Sequence, residues 1–500
     1  MAGSPTTHGS NAAVRSSADI DKEALLERYT IAPIPPEAKH GTARSLFAVF
    51  FGFTMGPLTI VTGLLGPTVF KLSFLWCVVA IVAGCLAGGV FMALHAAQGP
   101  RLGVPQMIQS RGQFGSLGST IIYLVVFFLE IGFAASFAVV GGQSAAVIVP
   151  SISVGWWIVI CGLFVFVIAL AGYDVIHRLN RYLLPIFGIS IIGTFLGVLV
   201  VKGLPSSFLS AGGFNFGGFL AMLSISAVYL ITNAPFVSDY SRYMPVSETA
   251  RRSGSRNALR GVGSTIWATY LGSNASVIPL LVLGAIIGVV LPTAVGVPDI
   301  YHAVGAGALG IFILVVFVIA SIDDAAINIY SFALVVITLG VTGDERWKNF
   351  GARARTVIVA IGTIAMLVLA VGFRNTFLVS YSDFLSLLFY LLIPWTIINL
   401  MDYYLVRKGS YDVPSFYRRD GGIYGLVQWG PFAAYVIGVL VQVPFMNVTF
   451  YESPVARALN GGDISWLVAT VLVPVLFYLF VWRPRTRESR LAQAPATLDV

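Results

Sequence analysis

A chain of 500 residues in which 57% are hydrophobic and only 10% are charged carries too few charges for a soluble domain, where the share is about a quarter. Its mean hydropathy of +0.86 likewise excludes disorder, a coiled coil and a secreted disulfide scaffold. The net charge of +8 raises the question of nucleic-acid binding, which the placement of the basic residues answers.

Residues 1–44 are polar and rich in Ser, Ala, Pro and charge, and are expected to form a cytoplasmic tail. No short apolar run lies near Met1, so no cleavable signal is expected. Twelve apolar blocks follow, at about 45–70, 74–95, 118–149, 153–172, 182–202, 215–238, 261–292, 306–341, 354–373, 377–405, 427–447 and 463–483. They reach the roughly 20 residues that a helix needs to cross hydrocarbon. Open strands cannot satisfy their backbone groups in lipid, and continuous runs are not the alternating segments of a β-barrel, so all twelve are read as helices. Residues 484–500 form a second cytoplasmic tail. With the N-terminus inside, 26 of the 30 Lys and Arg fall on the inner side, and only Lys71, Lys202, Arg374 and Arg457 fall outside. This bias predicts a multi-pass protein of the cell membrane with both termini cytoplasmic. It also explains the positive charge without nucleic acid.

The first block is interrupted by Thr54-Met55-Gly56-Pro57 and the sixth by Thr232-Asn233-Ala234-Pro235. Proline removes a backbone donor and clashes with the preceding turn, so each helix is expected to unwind there. Single proline kinks are ordinary in membrane helices. Two at matching positions five helices apart are not, because odd spacing makes the two halves run in opposite directions. Paired breaks in inverted halves point to a transporter's central site.

Three acids lie inside the blocks. Glu130 is about twelve residues into the third, and Asp323 and Asp324 are about eighteen into the eighth, near the midplane at ~1.5 Å per residue. Intramembrane carboxylates are costly and mark functional sites. All Lys and Arg fall in loops or at helix ends, so these acids must be protonated, hold an inorganic cation or face a cationic substrate. The bland alternative is a water-filled vestibule without chemistry. Ser321, Asp324, Asn328 and Ser331 recur at three- and four-residue spacing as one polar stripe. Glu130, Phe133, Ala134 and Phe137 share a face that sets aromatic rings beside an acid, and planar heterocycles stack on such rings. Side chains of Thr54, Asn233 and Asn328, with freed backbone groups at the breaks, could read the amide-like edge of a base. Cys77, Cys85 and Cys161 show no metal or disulfide spacing and are expected in the core. His95 and His302 are read as interfacial residues at helix ends. No nucleophile–His–acid arrangement, metal cluster or phosphate-cradling loop is present, so neither an enzyme nor a cofactor is expected.

The loop from Gln98-Gly99-Pro100-Arg101-Leu102-Gly103 through Pro105-Gln106 to Arg111 and Phe114-Gly115 resembles the signature loop of the purine–cytosine permease branch of the nucleobase:cation symporter-1 family. The segment Ile31-Ala32-Pro33-Ile34-Pro35 resembles the motif before that family's first helix. Ser238-Asp239-Tyr240-Ser241-Arg242 resembles the end of its sixth, Asn328-Ile329-Tyr330 its eighth, and Pro394-Trp395 through Asp402-Tyr403-Tyr404 its tenth. Gly421-Gly422-Ile423-Tyr424-Gly425 and Gly461-Gly462-Asp463 complete the pattern. The likeness runs from about residue 27 to 483.

This resemblance implies an all-α polytopic membrane protein with a LeuT-type inverted repeat of 5+5 helices. The repeats would span 45–202 and 215–405, with two additional helices in 427–483. It implies import of cytosine or purines driven by H⁺ or Na⁺, with the substrate held between helices 1, 3, 6 and 8. Thr54, Glu130, Phe133, Phe137, Asn233, Asp324 and Asn328 form the expected substrate set. Ser321 and Asp323 lie close to where family members bind the coupling cation between helices 1 and 8, with Asp323 expected to face helix 1. Phe137 stands where the family has a polar residue, and Asp323 and Asp324 stand where small or amide residues are usual. A transporter of an organic cation, such as an amine or a thiamine-like compound, is therefore the alternative. A monomer in the lipid bilayer is expected.

Overall fold

Hydrocarbon offers no partner to a backbone N–H or C=O, so apolar runs there close their hydrogen bonds within themselves. A computed structural model describes residues 32–206, 208–209, 213–247, 259–294, 296–343 and 352–484; expectations for most of the two tails fall outside these residues. Helix α1 is split into α1a (Ala43–Phe53) and α1b (Pro57–Thr68). It is followed by α2 (Phe74–Ala96), α3 (Thr120–Ile148), α4 (Val154–Ala171) and α5 (Tyr173–Val201). Helix α6 is again split, into α6a (Phe216–Ile231) and α6b (Val237–Ser241). Then come α7 (Gly263–Val290), α8 (Gly307–Gly343), α9 (Ala352–Phe373), α10 (Phe377–Met401), α11 (Trp429–Leu440) and α12 (Ser465–Phe477).

Among the described residues, nine helices are long and apolar enough to cross a membrane, and α1a and α1b form a tenth candidate bent by 60°. The remaining two of the twelve expected blocks hold the shorter apolar helices Phe216–Ile231 and Trp429–Phe445. One two-stranded hairpin pairs Asn447–Val448 with Tyr451–Glu452, between α11 and α12.

Helix pairing carries the internal repeat. Helix α7 packs on α1a as α2 packs on α6a, α9 packs on α3 as α4 packs on α8, and α10 packs on α3 as α5 packs on α8. Exchanging each helix for the one five positions away maps these contacts onto one another, with α3 and α8 meeting across the pseudo-axis. Helices α11 and α12 stand outside the repeat and pack on α10. Small residues permit the closest crossings. A Cβ at Gly84 would lie 2.3 Å from the Leu223 carbonyl oxygen, and one at Gly88 2.3 Å from that of Ala227. The outer faces of α4, α5, α9 and α12 expose Leu163, Ile189, Ile364 and Val471, which suits contact with lipid tails. The three cysteines are buried and free.

Candidate substrate site

Both expected breaks are present. At the first, Gly56 has extended backbone and Pro57 opens α1b at its first turn, where a missing N–H costs nothing. At the second, residues 232–236 form a run of turns. The breaks free less backbone than expected. The N–H groups of Met55, Asn233, Ala234 and Phe236 donate to Gly52, Leu230, Ile231 and Asn233 respectively. Recognition at this point therefore falls mainly to side chains.

A cavity of about 130 Å³ lies between the two breaks and helices α3 and α8. All seven side chains of the expected substrate set line it: Thr54, Glu130, Phe133, Phe137, Asn233, Asp324 and Asn328. The Thr54 hydroxyl donates to Phe50 O at 2.8 Å and lies 2.5 Å from the Ser276 hydroxyl, tying α1a to α7. Asn328 Nδ2 donates to Asp324 O at 2.7 Å, and Asn233 Nδ2 donates to Tyr229 O at 2.9 Å. Asn233 Nδ2 also reaches Leu230 O at 3.4 Å; the amide oxygens and the second N–H of Asn328 remain as polar groups for a ligand. Phe133 and Phe137 tilt against each other at 6.5 Å, and Phe384 meets Phe133 edge-on at 5.3 Å.

Tyr229, Thr232, Asp239 and Tyr240 also line the cavity, outside the expected substrate set. Asp239 lies close enough to Glu130 for their carboxyls to interact. Three acids therefore face one small space, and none of its lining residues is Lys, Arg or His. The signal for Asp239 was in its motif, but its position past a break hid its depth.

Ser321 and Asp323 are not part of this cavity. Ser321 lies against α3, its Cβ 3.3 Å from where a Cβ of Gly141 would sit. Asp323 lies near Asn180 of α5 and does not line the cavity at the break, so the expectation that it faces helix 1 is corrected. Asp324 takes that place, its Oδ2 3.1 Å from the Cβ position of Gly56 in the break. Successive residues on a helix point about 100° apart, and α8 lies between α3, α5 and α1b, so adjacent acids meet different neighbours. Ser321 Oγ and Asp323 Oδ1 are both buried without a hydrogen-bond partner.

One end of the cavity is closed. Tyr381 of α10 pairs with the Thr62 hydroxyl at 3.0 Å, and Tyr229 pairs with that of Thr59 at 2.5 Å. Phe53 at the end of α1a, 37% exposed, also lines the cavity. The repeat is asymmetric in the same sense, since α10 packs closely on α6a whereas the equivalent pairing of α5 with α1a is looser.

The signature loop explains how α6b is held. It folds as two short helices, Gly99–Leu102 and Gln106–Phe114. The Ser238 hydroxyl donates to Gln106 Oε1 at 2.5 Å, and Gln106 N donates to Asp239 Oδ1 at 3.0 Å. Gln98 Nε2 donates to Asn399 Oδ1 of α10 at 2.7 Å. His95 is fully buried and stacks on Trp395 at 4.8 Å, which corrects its interfacial reading. His302 is exposed.

Two broken helices around a mid-membrane cavity, within inverted repeats, define a membrane transporter of the LeuT type and not an enzyme. The chain belongs to the family described as permeases for cytosine/purines, uracil, thiamine and allantoin, whose model matches residues 33–469. It is 34% identical to a putative purine-cytosine permease, YxlA, of Bacillus subtilis, over 93% of this chain and 97% of that one. It is 24% identical to the purine-cytosine permease fcyB of Emericella nidulans, over 89% of this chain and 86% of that one. Its fold is that of Mhp1, a nucleobase-cation-symport-1 family transporter. The closed form with bromovinylhydantoin bound matches with a TM-score of 0.68 at 20% identity, covering 91% of this chain and 96% of that one. The inward-facing form matches with 0.70 at 19%, covering 90% and 93%.

Proposed function

We propose that this protein is a secondary active importer of a nucleobase, cytosine or a purine, across the cell membrane, coupled to H⁺ or Na⁺. Residues 45–202 and 215–405 act as the two inverted units that alternate access around the breaks, with 427–483 outside them. The carrying observation is the cavity in which Asn233 and Asn328 bring side-chain amides beside the Phe133 and Phe137 rings. Amide oxygens and carboxyls make the wall rich in acceptors, so the favoured ligands carry N–H donors on a planar ring, as cytosine and adenine do. The relatives named purine-cytosine permeases support the same class. Ser321 Oγ and Asp323 Oδ1, buried without partners, are the groups that a proton or small cation would satisfy.

Asn328→Ala is expected to lower substrate affinity about fivefold or more with surface expression unchanged, since one lost hydrogen bond is worth on the order of 1 kcal/mol and an orphaned ligand group costs more. Equilibrium binding to purified protein measures this; unchanged affinity would assign Asn328 to packing. For topology, tags at residues 2 and 499 should both resist external protease in intact cells. Cleavage of either one contradicts an even number of crossings with both ends inside.

The second reading, transport of an organic cation, is favoured by one observation: Glu130 and Asp324 face the cavity with no basic side chain among its lining residues. A fixed positive charge on the ligand would stabilise ionised carboxyls there. Competition between cytosine and an organic amine separates the two readings.

A further inference from the structure

The segment that joins α11 to α12 lies on the side of Lys71 and Asn215, opposite the Arg-rich loops, and reaches two helices of the repeat at once. On one side it meets the start of α6a. A Cβ at Gly217 would lie 2.5 Å from the Asn460 carbonyl oxygen, and Asn447 Nδ2 holds the same turn by donating to Gly461 O at 2.7 Å. On the other side it is hydrogen-bonded to α10 at two levels, seven residues or about 10 Å apart along the helix at ~1.5 Å per residue. The inner level is buried. Asp463, 8% exposed, accepts from the Tyr390 hydroxyl, from Asn447 N at 3.0 Å and from Ser465 N at 2.9 Å. Gln442 Nε2 adds a bond to Tyr390 O at 2.8 Å. The outer level is exposed, where Asp383 accepts from the backbone N–H of Thr449 at 3.0 Å and from that residue's hydroxyl.

Asp383 sits in sequence between two residues that close the central cavity. Tyr381 pairs with the Thr62 hydroxyl, and Phe384 stands edge-on to Phe133. A substrate that passes between the cavity and the outer face has to part this end of α10 from α6a, and the segment that bridges them has to let go of one. We propose that Asp383 and Thr449 form the latch of this lid, with the Tyr390–Asp463 pair as the pivot that stays joined when the latch opens. Both latch residues are positioning residues, since they act on the substrate through Tyr381 and Phe384. Burial decides which anchor opens. Parting Tyr390 from Asp463 would strand buried polar groups at their full desolvation cost, whereas Asp383 and Thr449 exchange their bonds for water. The two helices outside the repeat thereby gain a task, as the frame against which α10 is latched.

The sign of the effect follows from the closed lid. Loosening the latch raises the fraction of molecules open to the outside, and the apparent dissociation constant of an external ligand falls as that fraction rises. The closing step that must follow binding becomes less favourable and slower. Half-saturating concentration and maximal rate should therefore fall together, a split that loss of folded protein does not produce.

The test is the rate at which Thr232→Cys, in the central cavity, is labelled by a membrane-impermeant maleimide added outside intact cells. The native Cys77, Cys85 and Cys161 are buried. Adding Asp383→Ala should speed labelling about tenfold, the effect of losing a hydrogen bond to a carboxylate. Asp383→Asn keeps an acceptor for the Thr449 N–H and should fall between. With Thr232 in place, Asp383→Ala should lower both the half-saturating concentration and the maximal rate for radiolabelled cytosine or hypoxanthine. A disulfide between Asp383→Cys and Thr449→Cys should stop labelling and uptake, and a reductant should restore both. Labelling unchanged by Asp383→Ala, or uptake that survives the disulfide, overturns the latch. If no disulfide forms, the labelling rates alone decide. They do not depend on which substrate is carried, so they judge the latch even where neither base is transported.

Discussion

Asp323→Asn is expected to abolish concentrative uptake while leaving substrate exchange intact. Asp323 is only 2% exposed. Asn180 of α5 lies near it, and Asp323 Oδ1 has no hydrogen-bond partner. An isolated charge there is costly, so in the proposed coupling the aspartate would alternate between an ionised form held by a cation and a protonated form. An amide of the same shape keeps the packing and loses both options. One charge moving with each substrate across about 100 mV supplies ~2.3 kcal/mol, which corresponds to roughly fifty-fold accumulation. The variant should fall to an inside-to-outside ratio of about one in proteoliposomes. Counterflow of labelled against unlabelled substrate should persist, because the central cavity is lined by Asp324 and not by Asp323. Accumulation by Asp323→Asn with wild-type dependence on pH and Na⁺ would remove it from coupling.

Gly63→Val should prevent folding. Helices α1b and α7 cross where Gly63 meets Leu281 and Gly284 meets Ile60; an added Cβ at Gly63 would lie 2.0 Å from the Leu281 carbonyl oxygen. That atom is backbone, so no rotamer change relieves the clash, and the helices must separate. The cost should exceed the ~1–3 kcal/mol of ordinary overpacking. Gly372 of α9 has nothing within 4 Å of its Cβ position, so Gly372→Ala should stay within roughly half a kcal/mol of wild type. Size-exclusion profiles and thermal melting of the detergent-solubilised proteins measure the contrast. A monodisperse Gly63→Val protein that melts with wild type contradicts the close crossing.

The helices and both breaks were legible because each rests on a local signal, a long apolar run or a proline at a matching position. The substrate set was legible for a related reason. A polar residue within an apolar helix has few places to point, and Glu130 and Asn328 reach the same cavity from helices that pack on each other along their lengths. What the sequence left open depends on rotation about helix axes and on contacts distant along the chain. Asp323 and Asp324 are equivalent in composition and depth, and only the packing of α8 turns one to α5 and the other to the Gly56 break. The pairs Thr59–Tyr229 and Thr62–Tyr381 join residues 170 and 319 positions apart, beyond the reach of any local pattern. Gly63 and Gly284 sit among ordinary apolar residues, and their role appears only once α1b lies on α7.

The central claim, a nucleobase carried through the cavity at the two breaks, is tested most directly by uptake of radiolabelled cytosine and hypoxanthine into proteoliposomes with imposed H⁺ or Na⁺ gradients and an organic amine as competitor. At least one base should accumulate only with a gradient of one of the two ions, the amine should compete poorly, and Asn328→Ala should raise the half-saturating concentration about fivefold or more. Uptake of the amine in preference to either base would contradict the account, as would base uptake indifferent to Asn328.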